Sequence, residues 1–376
     1  MHICLLAQTL GYIEGGGHFW VYLNWGLGFH RAGARVTWLE TVPRSFTPET
    51  FASHRTLLKN RLYEHGLPAD LAFIHEDGEI LSEQFGPLPV IREIAESSDL
   101  LVNLCYGLSN SITQQFHRKA LIDIDPGLLQ HWVTRGYFAL APYDFYFTIS
   151  DAIGKPGHPI PTLGLKWFHT APCVDTASWP VTSSTAESPY TTVSHWEAHE
   201  YVVEEDGSFY ENTKKAGFEP FLDLPGHLSI PVELALCIDP AQTQEIQRLR
   251  ELGWRIRPSS EVSKSPIDYQ GYIQQSRGEF SVSKPSYVKM QSGWISDRTL
   301  CYLSSGKPVI VQDTGPIHYV SEGLGLLRFR TLEEAARHFQ SLFTDYPTHS
   351  QSARHLAESI FDSRRVAERF LDVVFG

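Results

Sequence analysis

The chain has 376 residues, of which 42% are hydrophobic, and this length suits two domains of roughly 150–200 residues each. Its formal net charge of −12, from 31 basic and 43 acidic residues, argues against general binding of nucleic acids or anionic membranes, so a bound anion needs a local site. The five cysteines are scattered without a C-x-x-C pair, which is typical of reduced thiols and predicts a cytoplasmic location.

The N-terminal half alternates between strand and helix patterns. The first residues, MHICLLAQTLGY, lack a basic region ahead of their short apolar run and predict a β-strand over 2–7, not a signal peptide. A glycine-rich loop from Gly11 to Gly17 follows. The later predicted elements are helices over 18–32, 49–65 and 90–97 and strands over 36–40, 100–105, 120–124 and 145–149. This alternation indicates an α/β fold with a doubly wound, mostly parallel sheet.

The alternation restarts after a stretch rich in Pro, Gly, Ser and Thr at 154–189, which predicts a linker. The predicted strands of the second half are 190–196, 231–236, 254–257, 279–282 and 308–312, and its helices are 242–252, 269–275, one opening at 296, 331–343 and 350–375. We therefore expect an N-terminal Rossmann-like domain over 1–175, a linker over 176–189, a second such domain over 190–349 facing the first across a cleft, and a helix over 350–376 that returns to the N-terminal domain. No run reaches 18 apolar residues, so no membrane span is expected.

One segment, 278–315 (GEFSVSKPSYVKMQSGWISDRTLCYLSSGKPVIVQDTG), predicts a strand, a polar loop, a helix that opens at Ser296 and Asp297, and a second strand. Such a loop brings a helix N-terminus to the carboxyl edge of a parallel sheet, where free N–H groups and the helix dipole favour an anion such as a diphosphate. Lys284 and Arg298 would add positive charge. Ordinary helix capping by Ser296 and Asp297 is the alternative.

Three consecutive glycines, Gly15 to Gly17, precede the first predicted helix. Without Cβ atoms they allow a ligand to approach the backbone closely, although a tight turn without a ligand would also use glycine. The dinucleotide fingerprint G-x-G-x-x-G fails at Trp20. Glu40, however, closes the second strand, where a dinucleotide-binding fold places its ribose-binding acid, so a NAD(P)-dependent oxidoreductase is an alternative.

His18 and the acids of LIDIDPG are candidates for proton chemistry. His18, in the first turn of helix 1, could take the proton of an acceptor hydroxyl, as could Glu14. Asp123 and Asp125 follow a strand. Asp125 is the better candidate for lining the site of the compound that carries this acceptor hydroxyl. A D-x-D metal site fits poorly because the acids run into a turn-forming Pro-Gly.

These segments resemble GT-B-fold glycosyltransferases. The stretch 11–40, GYIEGGGHFWVYLNWGLGFHRAGARVTWLE, is similar to the first loop, helix and second strand of that family. The stretch 278–315, with its closing Gly-Lys-Pro-Val-Ile, resembles their donor-binding segment. The stretch 190–237, with Thr191, Thr192, Gly207, Tyr210 and Lys214, looks like the opening of their C-terminal domain. The resemblance covers about a third of the chain.

The resemblance implies a metal-independent transferase, with a nucleotide sugar as co-substrate, no other cofactor, and a small-molecule or saccharide acceptor. His18 and Asp125 would be catalytic. The donor would be bound by Gly16, Gly17, Lys214, Lys284, Ser296, Asp297, Arg298, Asp313 and Thr314, with Glu322 a further candidate for sugar hydroxyls and Trp294 for the base. Retaining members often carry two glutamates eight residues apart, where this chain has Gly293 and Cys301, so the anomeric outcome stays open. A non-catalytic nucleotide-sugar-binding homologue and a sugar-nucleotide epimerase are therefore alternatives, and the oligomeric state is open.

Overall fold

The structure is a computed structural model that describes residues 1–75, 79–86, 88–137, 139–197, 200–204, 206–321 and 323–376. Contacts divide the chain into two compact units: unit 1 comprises Met1–Ser178 and Phe361–Gly376, and unit 2 comprises Trp179–Ile360. Both units are α/β, which confirms the predicted fold class. Among the described helices, none is long and apolar enough to cross a membrane.

Unit 1 is built on a seven-stranded sheet in which all paired strands are parallel. Its strands are β1 (His2–Ala7), β2 (Arg35–Val42), β3 (Asp70–His75), β4 (Leu100–Asn103), β5 (Lys119–Asp123), β6 (Phe145–Thr148) and β7 (Trp167–His169). Its first helices are α1 (Gly16–Arg31), α2 (Pro48–Glu64), α3 (Ile91–Ser97), α4 (Asn110–Thr113) and α5 (Leu128–Thr134). The strand order is β3-β2-β1-β4-β5-β6-β7. Near-continuous apolar runs form the central strands because helices cover both faces of such a sheet.

Unit 2 has a six-stranded parallel sheet and a separate two-stranded antiparallel ribbon. The sheet contains β8 (Tyr190–His195), β11 (Val232–Cys237), β12 (Arg255–Pro258), β13 (Gly278–Ser281), β14 (Val309–Gln312) and β15 (Leu326–Phe329), and the ribbon contains β9 (Tyr201–Val203) and β10 (Phe209–Glu211). The helices are α6 (Lys214–Phe218), α7 (Thr243–Glu251), α8 (Ser259–Val262), α9 (Pro266–Gln275), α10 (Pro285–Lys289), α11 (Asp297–Ser304), α12 (Leu332–Thr344) and α13 (Tyr346–Leu356). The strand order is β12-β11-β8-β13-β14-β15.

The C-terminal helix α14 (Ser363–Phe375) belongs to unit 1 and packs on α1. Phe370 lies edge-on to Trp25 and Phe29, with ring centroids 6.2 and 5.6 Å apart. A Cβ atom on Gly28 would lie 2.5 Å from the carbonyl oxygen of Ser363, so glycine is needed where the two helices approach. Aromatic burial and this close approach together fix the position of α14 within unit 1.

The single helix predicted over 350–375 is in fact two α-helices separated by a π-helical turn, Ala357–Phe361. Asp362 starts α14 anew because its side chain accepts a hydrogen bond from the amide of Arg365. The hydroxyl of Thr176 also donates to Asp362, and Val174 forms a parallel bridge with it. The apolar stripe runs through both helices and therefore hides the break in the sequence.

Several short elements were missed by the sequence patterns. β7, only three residues long, lies in the stretch that predicts a linker, yet it pairs in parallel with β6. β3, β15 and the ribbon of β9 and β10 were also not predicted, nor was the five-residue helix α10 in the polar loop. Such short pieces carry too few residues to show a period, and their sheet partners define them.

Candidate functional site

In each sheet the strand order reverses at the first strand of the unit. The reversal lies between β1 and β4 in unit 1 and between β8 and β13 in unit 2. Ligands of doubly wound sheets bind outside the carboxyl ends of the strands at such a point. The residues that follow these strands are therefore the candidates for function, and each unit has its own set.

In unit 2, helix α11 begins at Asp297, directly after the N-cap Ser296, as predicted. The backbone of Ser296 is extended (φ −70°, ψ 138°), and its hydroxyl makes no capping hydrogen bond. The first amides of an α-helix have no acceptor within the helix, and the positive end of its dipole lies there. The N-terminus of α11 thus offers amide donors at the carboxyl edge of the unit 2 sheet.

Gly293 and Thr314 hold the loop before α11 against the segment that follows β14. Gly293 has a φ of +66°, and a Cβ there would lie 2.6 Å from the carbonyl oxygen of Pro316. The amide of Gly293 donates to the carbonyl of Thr314 (2.9 Å), and the Thr314 hydroxyl donates to the carbonyl of Trp294 (2.8 Å). Thr314 is only 2% exposed. These contacts show that Gly293 and Thr314 position the backbone of the loop. A contact of Thr314 with a sugar hydroxyl stays a prediction.

Three predicted cations lie together near this edge. The ammonium of Lys214 donates to the carbonyl of Val282, just after β13, and lies 5.5 Å from the ring centroid of Trp294. Burial lowers the pKa of Lys214 well below its usual value, and the nearby charges of Arg298 and Lys284 lower it further, while Glu279 opposes them. An anion bound here would offset the repulsion among the three cations and would therefore stabilise the charged form of Lys214.

Lys284 and Arg298 each have a carboxylate partner. Lys284 donates to Glu200 in a half-buried ion pair. Arg298 donates from Nε to Glu279 (2.8 Å) and from Nη1 to the carbonyl of Val193 at the end of β8 (3.0 Å). Glu279 is fully buried, and its other carboxylate oxygen has no hydrogen-bond partner among the described residues. Arg298 therefore compensates a buried charge, and its predicted contact with a phosphate stays a prediction.

Asp313, predicted to hold sugar hydroxyls, lies within a cluster of cations. One carboxylate oxygen accepts from Arg328 (2.5 Å) and from the amide of Gly315 (2.8 Å), and the other accepts from Arg330 (2.7 Å). Its side chain is 10% exposed. These bonds fix the segment after β14, and a direct role for Asp313 with the donor stays a prediction. The other sugar candidate, Glu322, lies outside the described residues.

Trp294, predicted to stack on a base, stacks on Tyr287 instead in this structure. The two rings are nearly parallel, at 5°, with centroids 4.4 Å apart. The pair anchors the loop before α11 to α10.

In unit 1, the three glycines open helix α1. Gly15 is the N-cap, and Gly16 and Gly17 are the first helical residues. A Cβ on Gly15 would lie 2.3 Å from the ring of Tyr12, so this glycine is required by packing. A donor contact by Gly16 and Gly17 stays a prediction.

Glu40 is fully buried and fixes the loop after β1. Its carboxylate accepts hydrogen bonds from the amide of Thr9 (2.9 and 3.1 Å) and its hydroxyl, from the amide of Leu10 (3.3 Å) and from the indole of Trp38 (2.9 Å). Burial raises the pKa of Glu40, and these donors oppose that rise. With its oxygens bound inside the protein, Glu40 is not placed to hold a ribose, which removes the main feature that favoured a NAD(P) enzyme.

His18 lies at the carboxyl end of β1. Its Nε2 is 2.8 Å from the carbonyl oxygen of Gln8. A carbonyl only accepts, so Nε2 carries the proton and Nδ1 is the basic nitrogen of the neutral ring. The ring lies edge-on to Tyr22 (5.2 Å between centroids), and the Tyr22 hydroxyl is 3.6 Å from the sulfur of Cys105. This tautomer suits a general base.

Asp123 and Asp125 follow β5 and differ in environment. Asp123 is fully buried and accepts from Gln130 (2.8 Å), Tyr106 (3.2 Å), Thr148 (3.3 Å) and the amide of Asp125 (3.1 Å). Burial raises the pKa of Asp123 to about 7, and the charge of Asp125 adds to the rise. Asp125 is half-buried, and its charge also raises the pKa of Tyr22, after burial and Cys105. The amide of Asp125 donates to the hydroxyl of Tyr106 (3.0 Å), which places Asp125 beside that tyrosine.

Two residues of these sites were missed by the sequence patterns: Tyr22 and Glu279. Glu279, an acid inside an otherwise apolar strand, had a visible signal, because a buried carboxylate needs a partner. Tyr22 cannot be told from core aromatics without the fold.

No protein-family model matches the sequence, and neither does any curated protein. Solved structures do match over the whole chain. An alpha-glucosyltransferase in complex with UDP and DNA is 13% identical, with a TM-score of 0.61 and 100% of each chain covered. HepE of Anabaena, in complex with UDP and glucose, is 12% identical (TM-score 0.57, 99% of each chain covered). Sucrose-phosphate synthase of Thermosynechococcus elongatus is 12% identical (TM-score 0.57, covering 99% of this chain and 98% of that one). At this level of identity the likeness concerns architecture, and the chain has the GT-B fold.

Proposed function

We propose that the protein is a glycosyltransferase that moves a sugar from a nucleotide-sugar donor to a small-molecule or saccharide acceptor without a metal. The observation that carries the proposal is the group of cations, Lys214, Lys284 and Arg298, at the carboxyl edge of the unit 2 sheet beside the N-terminus of α11. In a chain with a net charge of −12, such a local group is a place for an anion. Three structures of the same fold were solved with UDP or UDP and a second ligand, which supports a nucleotide donor.

Lys214 is the residue on which donor binding depends most. Lys284 and Arg298 already have carboxylate partners, whereas the ammonium of Lys214 donates to a neutral carbonyl. A diphosphate bound there would be held by the Lys214 ammonium and by the amides that follow Ser296, with Asp297 in the first turn of the helix. The same groups would stabilise the negative charge that develops on the leaving diphosphate.

The acceptor hydroxyl needs a base if transfer inverts the configuration at the anomeric carbon. His18 is the residue proposed for this role, because its neutral ring has Nδ1 as a basic nitrogen. Asp125 is proposed to orient the acceptor. Gly16 and Gly17 would allow the acceptor or the donor to approach the start of α1.

A cytoplasmic location is part of the proposal. This proposal is supported by the state of Cys4, Cys105, Cys173, Cys237 and Cys301, which are thiols and not disulfides, as expected where thiols are kept reduced.

The test is a panel of sugar nucleotides, each measured for its effect on the melting temperature and for transfer to mixed acceptors or slow hydrolysis. The proposal expects at least one donor to raise the melting temperature and to be turned over. Stabilisation by NAD(P) alone would overturn it in favour of an oxidoreductase. Binding without any turnover would leave a non-catalytic homologue, and an epimerised nucleotide sugar formed without acceptor would identify an epimerase.

A further inference from the structure

Unit 1 contains an apolar cavity of about 420 Å³, within the range of small-molecule sites, roughly 300–1,000 Å³. It is lined by Cys105, Tyr106, Gly107, Trp132 and Tyr137. The first three follow β4, and Trp132 lies on α5, so the cavity opens at the carboxyl edge of the sheet. Three of its five lining residues are aromatic, which favours a flat apolar ligand.

The cavity wall is held in a fixed conformation. Tyr106 has a φ of +59°, a left-handed conformation that is costly for a side chain of this size. Its hydroxyl donates to the buried Asp123 (3.2 Å) and accepts from the amides of Ile124 (2.9 Å) and Asp125 (3.0 Å). These three bonds hold the ring in place against the backbone strain. Strain maintained in this way is typical of a binding site.

The cavity is connected to the proposed base through two side chains. Cys105, in its wall, has its sulfur 3.6 Å from the hydroxyl of Tyr22. Tyr22 in turn lies edge-on to His18, with ring centroids 5.2 Å apart. Asp125 lies beside the cavity wall, because its own amide donates to the hydroxyl of Tyr106 (3.0 Å). The wall of the cavity is thus in direct contact with Asp125 and is linked to His18 through Cys105 and Tyr22.

A second cavity of the same size, about 420 Å³, lies at the ends of β6 and β7 and has a different lining. Its residues include the hydroxyls of Thr148, Ser150 and Thr162, and the charged Asp151, Lys155 and Lys166, together with Trp167 and His169. Polyhydroxylated ligands need such donors and acceptors. The contrast makes the apolar cavity a poor saccharide site.

We propose that the acceptor is a hydroxylated aromatic compound whose ring lies in the cavity of Tyr106, Trp132 and Tyr137. This inference rests on the proposed function and narrows its acceptor class. In the reaction, the phenolic oxygen forms a bond to the anomeric carbon of the donor. The bond from that carbon to the diphosphate breaks, its electron pair leaves with the nucleoside diphosphate, and the phenolic proton goes to Nδ1 of His18. The products are the aryl glycoside, the nucleoside diphosphate and a proton.

The experiment compares 4-methylumbelliferone with glucose and maltose as acceptors, using a donor that raises the melting temperature. The wild type is expected to glycosylate the aromatic compound at least tenfold more efficiently, as kcat/KM, than either sugar. Trp132→Ala should raise KM for the aromatic acceptor about tenfold. Trp132→Phe, which keeps an aromatic ring, should bring KM most of the way back to the wild-type value. Trp167→Ala, which removes a tryptophan from the polar cavity, is the matched control and should leave that KM within twofold.

Donor binding and donor hydrolysis are measured in every variant. These measurements distinguish failure of the proposed function from failure of the aromatic acceptor alone. Absence of donor binding would overturn the proposed function itself. Donor turnover with preference for the sugars, or loss with Trp167→Ala instead of Trp132→Ala, would overturn the aromatic acceptor alone and assign the acceptor to the polar cavity.

Discussion

The two sheets share their strand order around the first strand of each unit, yet the residues at their carboxyl edges have opposite chemistry. In unit 1 this edge has a histidine, aromatic rings and the acids Asp123 and Asp125. In unit 2 it has Lys214, Lys284 and Arg298. The shared topology therefore provides a binding position twice. The different side chains support the two different proposed roles, an acceptor in unit 1 and an anionic donor in unit 2.

The buried acids of the two units are stabilised differently. In unit 1, Glu40 and Asp123 are surrounded by neutral donors, and burial raises the pKa of both. In unit 2, Glu279 and Asp313 pair with arginines. In unit 1 the burial of the acids is offset by hydrogen bonds from neutral groups, and in unit 2 it is offset by an opposite charge. Each of the following substitutions tests one side of this comparison.

The largest effect is expected for His18→Ala. Loss of a general base lowers the rate of transfer by about 10²- to 10⁴-fold, while the affinity for the nucleotide in unit 2 stays the same. Steady-state kinetics and nucleotide titration measure the two quantities. His30→Ala, near the other end of α1, is the control and should have wild-type kinetics. Equal activity in both variants would exclude His18 as the base.

Arg298→Ala is expected to destabilise the protein, because it leaves the buried charge of Glu279 without its partner. Breaking a buried ion pair typically costs about 3–5 kcal/mol of unfolding free energy. Denaturant unfolding measures this, and Glu279→Gln in the same chain should recover part of the loss. If Arg298→Ala keeps wild-type stability but loses nucleotide binding, the arginine contacts the donor and is not primarily structural.

Lys214→Met is expected to weaken nucleotide diphosphate binding by about 10- to 150-fold, the value of one hydrogen bond to a charged group. Stability should be kept or increased, because the substitution removes repulsion with Arg298 and Lys284. Calorimetry measures the affinity. Lys289→Met is the matched control, since Lys289 is about half exposed and pairs with Glu204.

The lowered pKa of Lys214 also gives the binding a pH dependence. A bound diphosphate favours the ammonium, so binding takes up a proton, and affinity falls as pH rises through the lowered pKa of the free protein. The titration should cover a pH range wide enough to separate this trend from the second ionisation of the diphosphate, at about pH 6. The trend should vanish in Lys214→Met, and a trend that survives there would come from another group.

A separate effect, on stability and not on binding or activity, is the pH dependence that comes from Asp123. Its pKa is about 7 when folded and close to 3.8 when unfolded, so between these values only the native state holds the proton. Stability therefore falls as pH rises from about 4 to 7, by at most about 1.4 kcal/mol per pH unit, and levels off above. Asp123→Asn should flatten this slope in chemical denaturation at several pH values. An unchanged slope would mean that Asp123 is ionised throughout.

The sequence predicted the two α/β units and the helix that opens at Asp297, because long amphipathic or buried runs have a clear period. It predicted that cations would lie near that helix, but not that Arg298 is paired with Glu279, since strand neighbours such as β8 and β13 are distant in sequence. The apolar cavity was equally hidden: it depends on a left-handed Tyr106, which no local pattern reveals.

The most direct test is a crystal structure with a nucleoside diphosphate bound. We expect the diphosphate at the amides that follow Ser296, within hydrogen-bond distance of the Lys214 ammonium. A diphosphate bound instead at Gly16 and Gly17, at the start of α1, would disprove this assignment and would exchange the roles of the two sheets.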